Sequence, residues 1–229
     1  MQVRFYVVFI LIFLQSVMPG FGMNKKLPVV VKNNGENSTP LIFHITGDGG
    51  MVRFDSKMSK EYKTNGYSYI ALSSLKYFLT VKSPAKVAKD LIPVIQRYFN
   101  EWNKEKLILV GFSFGAEITP FLFEQLPPEL KEKVKMVVLL TPAKTSDFHI
   151  HLRDMVGLDK KDETYDVAEE TAKITTLKVL AIYGKKEKNN FLRNNDQPNI
   201  KVLDIKGGHD FKDSKTVFDL IMKELDSPM

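Results

Sequence analysis

The 229-residue chain is 44% hydrophobic and 26% charged, enough apolar material for one globular domain with a sizeable core. It has no cysteine, which excludes disulfides, thiolate metal sites and a lipid-bearing cysteine at an export cleavage site. The net charge of +6 comes from lysines spread along the whole chain, with no nucleic-acid recognition motif beside them. Nucleic acid is therefore not an expected partner, and the basic excess serves either solubility or attraction to an anionic membrane surface.

The N-terminus reads as a separate piece. Arg4 is followed by an almost wholly apolar stretch, 5–14, and then by Pro19-Gly20-Phe21-Gly22. A positive start, a short apolar run and small residues are the layout of a secretory signal peptide. The alternative is an uncleaved anchor, but the stretch is shorter than the roughly 20 residues a spanning helix needs. The expectation is a signal at 1–22 and a single domain over 23–229, exported to the periplasm, where a domain of this size without disulfides is ordinary.

Beyond residue 26, apolar β-rich runs recur at 27–31, 41–45, 67–72, 107–110, 134–140, 177–183 and 200–205. Several are continuously apolar, as strands buried on both faces should be. Helices are predicted at 83–98, 116–126 and 214–225, the first opened by Ser83 as N-cap and Pro84 at the first helical position. Strand–helix alternation predicts an α/β fold, a mostly parallel central sheet with helices on both faces. Residues 33–38, Asn-Asn-Gly-Glu-Asn-Ser, read as a tight turn joining the first two strands in an antiparallel hairpin at the sheet edge. The longest connection, 145–173, could form a small cap, and the remainder is too short for a separate lid domain. No internal repeat is present.

The most telling residues are Gly111-Phe112-Ser113-Phe114-Gly115, directly after the run 107–110 and directly before the helix 116–126. A G-x-S-x-G between strand and helix is the nucleophile elbow of α/β-hydrolases: two glycines allow a turn sharp enough to push the serine hydroxyl out above the sheet. A serine nucleophile needs a base, and the base an orienting carboxylate. His209, in Lys206-Gly207-Gly208-His209 after the last strand, is the candidate base. The acid should follow the strand 177–183, which points to Glu187, with Asp147 and Asp196 as alternatives. His44 lies inside a strand and reads as a packed histidine.

Acyl chemistry also needs donors aimed at a developing oxyanion. The backbone N–H of Phe114 is one candidate. The loop Thr46-Gly47-Asp48-Gly49-Gly50 offers others at Asp48 and Gly49, and lacks the Lys-Ser/Thr that a phosphate-binding P-loop requires. The Asp48 carboxylate either accepts bonds within its own loop or meets a cationic group of the substrate. Tyr77 and Phe78 either line the mouth of the site or pack in the core. Asp147, His149 and His151 could be read as metal ligands, but a hydrolase of this kind needs no metal, and no cofactor is expected.

Together, Gly47-Asp48-Gly49-Gly50, Ser74-Leu75-Lys76-Tyr77-Phe78, the extended elbow 111–120 (GFSFGAEITP) and Gly207-Gly208-His209 resemble the bacterial virulence protein VirJ family, which includes the VirJ-like domain of AcvB. The likeness runs over roughly 41–225. It extends to Asp147-Phe148-His149-Ile150-His151, where the family carries an acidic residue in place of His149. The resemblance implies an α/β-hydrolase fold, export to the periplasm, and hydrolysis of aminoacylated phosphatidylglycerol, chiefly the lysyl form. It implies Ser113 as nucleophile, His209 as base, Glu187 as acid and the loop 47–50 as the oxyanion site. Gly47, Gly50, Tyr77, Phe112 and His151 are the expected substrate contacts. The partner would be membrane phospholipid at the periplasmic face, met by a monomer. Two rivals stand beside this reading: a generic carboxylesterase or thioesterase acting on a soluble ester, and a binding or secretion-accessory protein on a hydrolase scaffold. Retention of the serine, the histidine and the glycine-rich loop argues against the last.

Overall fold

Seven strands hydrogen-bond into one sheet in the computed structural model, which describes residues 27–51, 53–151, 165–188 and 190–228. The expected signal peptide, 1–22, lies outside the described residues. In chain order the strands are β1 (Val29–Lys32), β2 (Leu41–Ile45), β3 (Tyr69–Leu72), β4 (Leu107–Phe112), β5 (Val134–Leu140), β8 (Lys178–Gly184) and β9 (Ile200–Ile205). Their spatial order is β1-β3-β2-β4-β5-β8-β9. All neighbours run parallel except β1, which pairs antiparallel with β3 at the edge. β6 (Thr145–Ser146) and β7 (Tyr165–Asp166) form a separate two-stranded antiparallel ribbon.

The continuous apolar runs have the expected cause, since both faces of the sheet are covered. One face carries α3 (Pro84–Glu101), α4 (Phe114–Glu124) and α6 (Val167–Ala172), whose Val87, Leu91, Ile118, Leu122 and Val167 pack with Leu107, Leu109, Val137 and Leu139 of the central strands. On the other face lie α1 (Arg53–Thr64) and α7 (Ser214–Leu225), with Phe54, Met58, Tyr62, Phe218 and Ile221 set against Ile108, Val110, Met136 and Val138. Alternate residues of β4 and β5 thus feed opposite cores. Ser83 caps α3 as its sequence foretells, its side chain accepting from the Lys86 amide at 3.2 Å, a contact typically worth about 1 kcal/mol.

One expectation needs correction, and one helix carries no clear sequence signal. The stretch 33–38 does not close a β1–β2 hairpin, because both edges of β2 are taken by parallel partners, β3 and β4. The chain instead crosses the start of β3, where the Ser68 hydroxyl accepts from the amides of Asn34 and Gly35 and donates to Asn33 Oδ1 at 2.7 Å. That helix is α1. Its buried stripe, Phe54, Asp55, Met58, Ser59 and Tyr62, mixes two polar residues with three apolar ones, which blunts the helical hydrophobic period. The connection expected to cap the site contains the β6–β7 ribbon and α6, which packs on α4. Its residues 152–164 lie outside the described set. Among the described residues no helix is long and apolar enough to cross a membrane.

Candidate active site

Ser113 sits between β4 and α4 with φ 51° and ψ −119°, a left-handed conformation costly for a residue with a Cβ. The surroundings hold it there. Its amide donates to the Leu140 carbonyl of β5 at 2.8 Å, and its carbonyl receives the Ala116 amide at 2.8 Å. The two glycines are needed because backbones meet closely. A Cβ on Gly115 would lie 2.6 Å from the carbonyl carbon of Ile45 and 2.7 Å from the Thr46 oxygen, and one on Gly111 would lie 2.5 Å from Ala116 Cα. Gly115 therefore sets the start of α4 directly on the end of β2, bringing the elbow beside the loop 46–50.

His209 lies in the loop between β9 and α7, its ring 5.8 Å from that of Phe112. Its Nε2 is 2.7 Å from Ser113 Oγ, and its Nδ1 is 3.0 Å from Glu187 Oε2. With Nδ1–H donating to the carboxylate, Nε2 is left to accept the serine hydroxyl proton. The histidine side chain is 48% exposed whereas that of Glu187 is only 14% exposed, so the carboxylate is sheltered and the imidazole faces outward. The other two acids are elsewhere. Asp147 accepts from His151 Nε2 at 2.6 Å and from the His149 amide at 3.1 Å, and Asp196 is exposed.

The loop 46–50 closes on itself through the Gly50 amide and the Gly47 carbonyl, 2.9 Å apart. Thr46 ties it to α2 (Ser74–Tyr77): Thr46 Oγ1 accepts the Ser74 amide at 2.9 Å, and the Ser74 hydroxyl donates to the Thr46 carbonyl at 2.6 Å. Gly47 packs against the Phe112 ring. The Asp48 side chain is exposed and makes no hydrogen bond among the described residues, so it does not serve as an acceptor inside its own loop. The Phe114 amide, first in α4, has no intrahelical acceptor and stands beside Ser113.

Tyr77 and Phe78 do not line a mouth. Tyr77 is 7% exposed, with its hydroxyl donating to Asp90 Oδ2 at 2.7 Å, and burial pushes that hydroxyl's pKa far up. Phe78 is fully buried and meets the Phe114 ring edge-on. Both belong to the core because α2 turns inward after β3. His151 is partly exposed and engaged with Asp147. The rings of His149 and His151 meet edge-on with centroids 4.0 Å apart, yet among the described residues no group of three or more His, Asp or Glu side chains is arranged to hold a metal ion.

Two features escaped sequence reasoning. One is Arg193, whose guanidinium holds the turn that carries Glu187. The other is a buried network under the loop 46–50. There His44 Nε2 lies 2.8 Å from Asp55 Oδ1 and His44 Nδ1 lies 2.9 Å from the Tyr62 hydroxyl. Only the placement of His44 inside a strand hinted at it.

The motif set, the strand order and the elbow converge with a direct match to a family described as bacterial virulence protein (VirJ), covering residues 40–228. The chain belongs to this VirJ family. No curated protein matches it. Among solved structures, Est1E from Butyrivibrio proteoclasticus is similar with a TM-score of 0.62 at 14% identity, over 87% of this chain and 93% of that one. Naproxen esterase (carboxylesterase NP) from Bacillus subtilis gives 0.57 at 14% identity, over 89% and 90%. A lipase-esterase related protein from Clostridium acetobutylicum gives 0.60 at 16% identity, over 86% and 98%. At such identities the likeness is one of fold, and it makes this VirJ-family chain an α/β-hydrolase in architecture.

Proposed function

We propose that this chain is a serine hydrolase that cleaves the aminoacyl ester of aminoacyl-phosphatidylglycerol, the lysyl form in particular, at the periplasmic membrane face. The observation that carries the reading is the line of contacts Ser113 Oγ–His209–Glu187 at 2.7 and 3.0 Å. In this reading His209 Nε2 takes the serine proton as Oγ bonds to the ester carbonyl carbon. The carbonyl oxygen becomes an oxyanion held by the Phe114 amide and by an amide of the loop at Asp48 or Gly49. Collapse breaks the ester bond, His209 returns its proton to the departing glycerol oxygen, and phosphatidylglycerol leaves. Water, deprotonated by the same nitrogen, then releases the amino acid from Ser113. Glu187 keeps the imidazole in the required tautomer throughout.

The substrate class rests on the family and on charge. A lysyl ester brings two ammonium groups, and the exposed, unengaged carboxylate of Asp48 supplies a counter-charge beside the oxyanion loop. A net charge of +6 favours an anionic lipid surface.

The test incubates the chain from residue 23 onward, which holds every described element, with lysyl-phosphatidylglycerol in vesicles and follows free lysine. Release by the parent and none by Ser113→Ala supports the proposal. No release, with a fluorophosphonate probe still labelling Ser113, points instead to an esterase or thioesterase acting on another ester. No release and no labelling leaves a non-catalytic binding protein.

A further inference from the structure

Among the described residues only three large apolar side chains are exposed, and two of them, Leu79 (45%) and Val81 (68%), share the tip of the six-residue connection between α2 and α3. Apolar residues scattered singly over a surface need no explanation; two on one tip are a different matter.

The base of the tip is rigid. Phe78 is buried against Phe114 and Phe148, the Lys82 amide donates to the Phe148 carbonyl at 3.2 Å, and the Ile150 amide donates to the Phe78 carbonyl at 2.9 Å. Lys82 Nζ reaches back to Thr80 and lies over the Tyr77 ring. Leu79, Thr80 and Val81 are therefore held outward rather than left to fold in.

The tip lies on the rim that carries Ser113. α2 follows the C-terminal end of β3 and is tied to Thr46, and Ser113 stands at the C-terminal end of β4, parallel to β3 through β2. The tip thus rises on the same rim of the sheet as the nucleophile, one residue beyond the Phe78–Phe114 contact.

The charge around it is mostly positive, and the nearest acid, Asp90, is held by the Tyr77 hydroxyl and by Lys86. Between Tyr67 and Lys89 there is no acidic residue, while Lys76, Lys82, Lys86 and Lys89 all occur. Lys76, Lys86 and Lys89 are exposed. A protein interface usually buries on the order of 800 Å² per partner, far more than two side chains offer, whereas shallow insertion into a bilayer needs only a few apolar groups with cations behind them.

We propose that Leu79 and Val81 insert into the interfacial region of an anionic bilayer, with Lys76 and Lys89 against its phosphates, and so set the Ser113 rim on the membrane. The inference rests on the lipid-ester reading for its purpose, but its test does not.

Sedimentation of the chain from residue 23 onward is measured with phosphatidylglycerol–phosphatidylcholine vesicles and with phosphatidylcholine alone. The Ser113→Ala variant serves for binding, so that no turnover intervenes. Binding should require the anionic lipid and weaken as salt rises above about 0.1 M. Leu79→Ser with Val81→Ser should lower the partition by about tenfold. The same pair of substitutions in the active chain should leave turnover of p-nitrophenyl acetate unchanged, which also reports that the variant is folded. Equal binding by parent and double variant, or no binding by the parent, overturns the inference. Lysine release from lysyl-phosphatidylglycerol in detergent micelles reports separately on the proposed function: anionic binding without release sinks that reading and leaves this one standing.

Discussion

Arg193 grips both ends of the turn that presents Glu187 to His209. Its guanidinium donates to the Gly184 carbonyl and the Glu187 carbonyl, each at 3.2 Å, and is itself fixed by Asp204 Oδ1 at 2.6 Å on β9. The Lys185 and Lys186 amides bond to the carbonyls of Ile205 and Gly207, so the acid turn is sewn to the strand and loop that lead to His209. Gly184 lets the two loops close up, because a Cβ there would lie 2.7 Å from the Gly208 carbonyl carbon. Glu187 and His209 are thus positioned as one unit.

Arg193→Lys should therefore lower kcat on a soluble ester by about tenfold with little change in KM, since one ammonium cannot span three acceptors and small misplacements of catalytic groups are costly. A role confined to stability would reduce the amount of active enzyme, read by fluorophosphonate titration, and leave kcat per active site intact. That second pattern would remove Arg193 from the positioning of Glu187.

The acid itself can be assigned by substitution. Glu187→Gln keeps size and hydrogen bonding but cannot stabilise an imidazolium, and should cost about 10²-fold or more in kcat. Asp147→Ala and Asp196→Ala should stay within about threefold of the parent, well short of the loss that follows removal of a catalytic group. Full activity of Glu187→Gln on p-nitrophenyl acetate would break the proposed triad.

The residues of this candidate site could be read from the chain because each of the three lies within four residues of the end of a strand: Ser113 after the apolar run of β4, Glu187 after β8 and His209 after β9. Parallel strands bring such positions to one rim whatever the helices do. What depends on remote partners could not be read. The turn at 33–38 looks like a hairpin until Ser68, more than 30 residues away, is known to bind it. Asp55 and Ser59 disguise α1 because the partner that makes Asp55 tolerable in a core is His44, on another element. Arg193 looks like one more cation in a Lys-rich stretch. Tyr77, Phe78, Leu79 and Val81 are equally apolar in sequence, and only the inward turn of α2 separates the buried pair from the exposed one.

Gly115 offers a sharp test of the elbow. Gly115→Ala forces a methyl into the end of β2, where the backbone of Ile45 and Thr46 cannot yield as a flexible side chain would. The substitution should lower stability by about 3 kcal/mol and abolish most esterase activity, because the displaced helix start carries the Phe114 amide with it. Urea unfolding that matched the parent would mean the elbow has room that its geometry denies.

Substitution of Asp55 should move stability and catalysis in opposite directions. The carboxyl is 3% exposed, and burial raises its pKa above the ordinary 3.8 despite the opposing pull of His44 and the Gly47 amide. A raised value means that the fold holds this proton more tightly than the unfolded chain does. The stabilising contribution is therefore complete below pH 3.8 and declines as the pH climbs through the folded value. Asp55→Asn cannot titrate, so its stability relative to the parent should improve between acid and neutral pH, by at most about 1.4 kcal/mol per pH unit. The new side chain has one acceptor oxygen for two donors, the His44 ring and the Gly47 amide, where the carboxylate has two. With Gly47 less firmly held, the loop 46–50 loses its fixed relation to Ser113, and kcat should fall by about tenfold while KM for a small ester stays put. Urea unfolding at acid and neutral pH, beside kcat per titrated active site, separates the two effects. A variant that lost relative stability at neutral pH, or kept full kcat, would show that Asp55 serves the core alone.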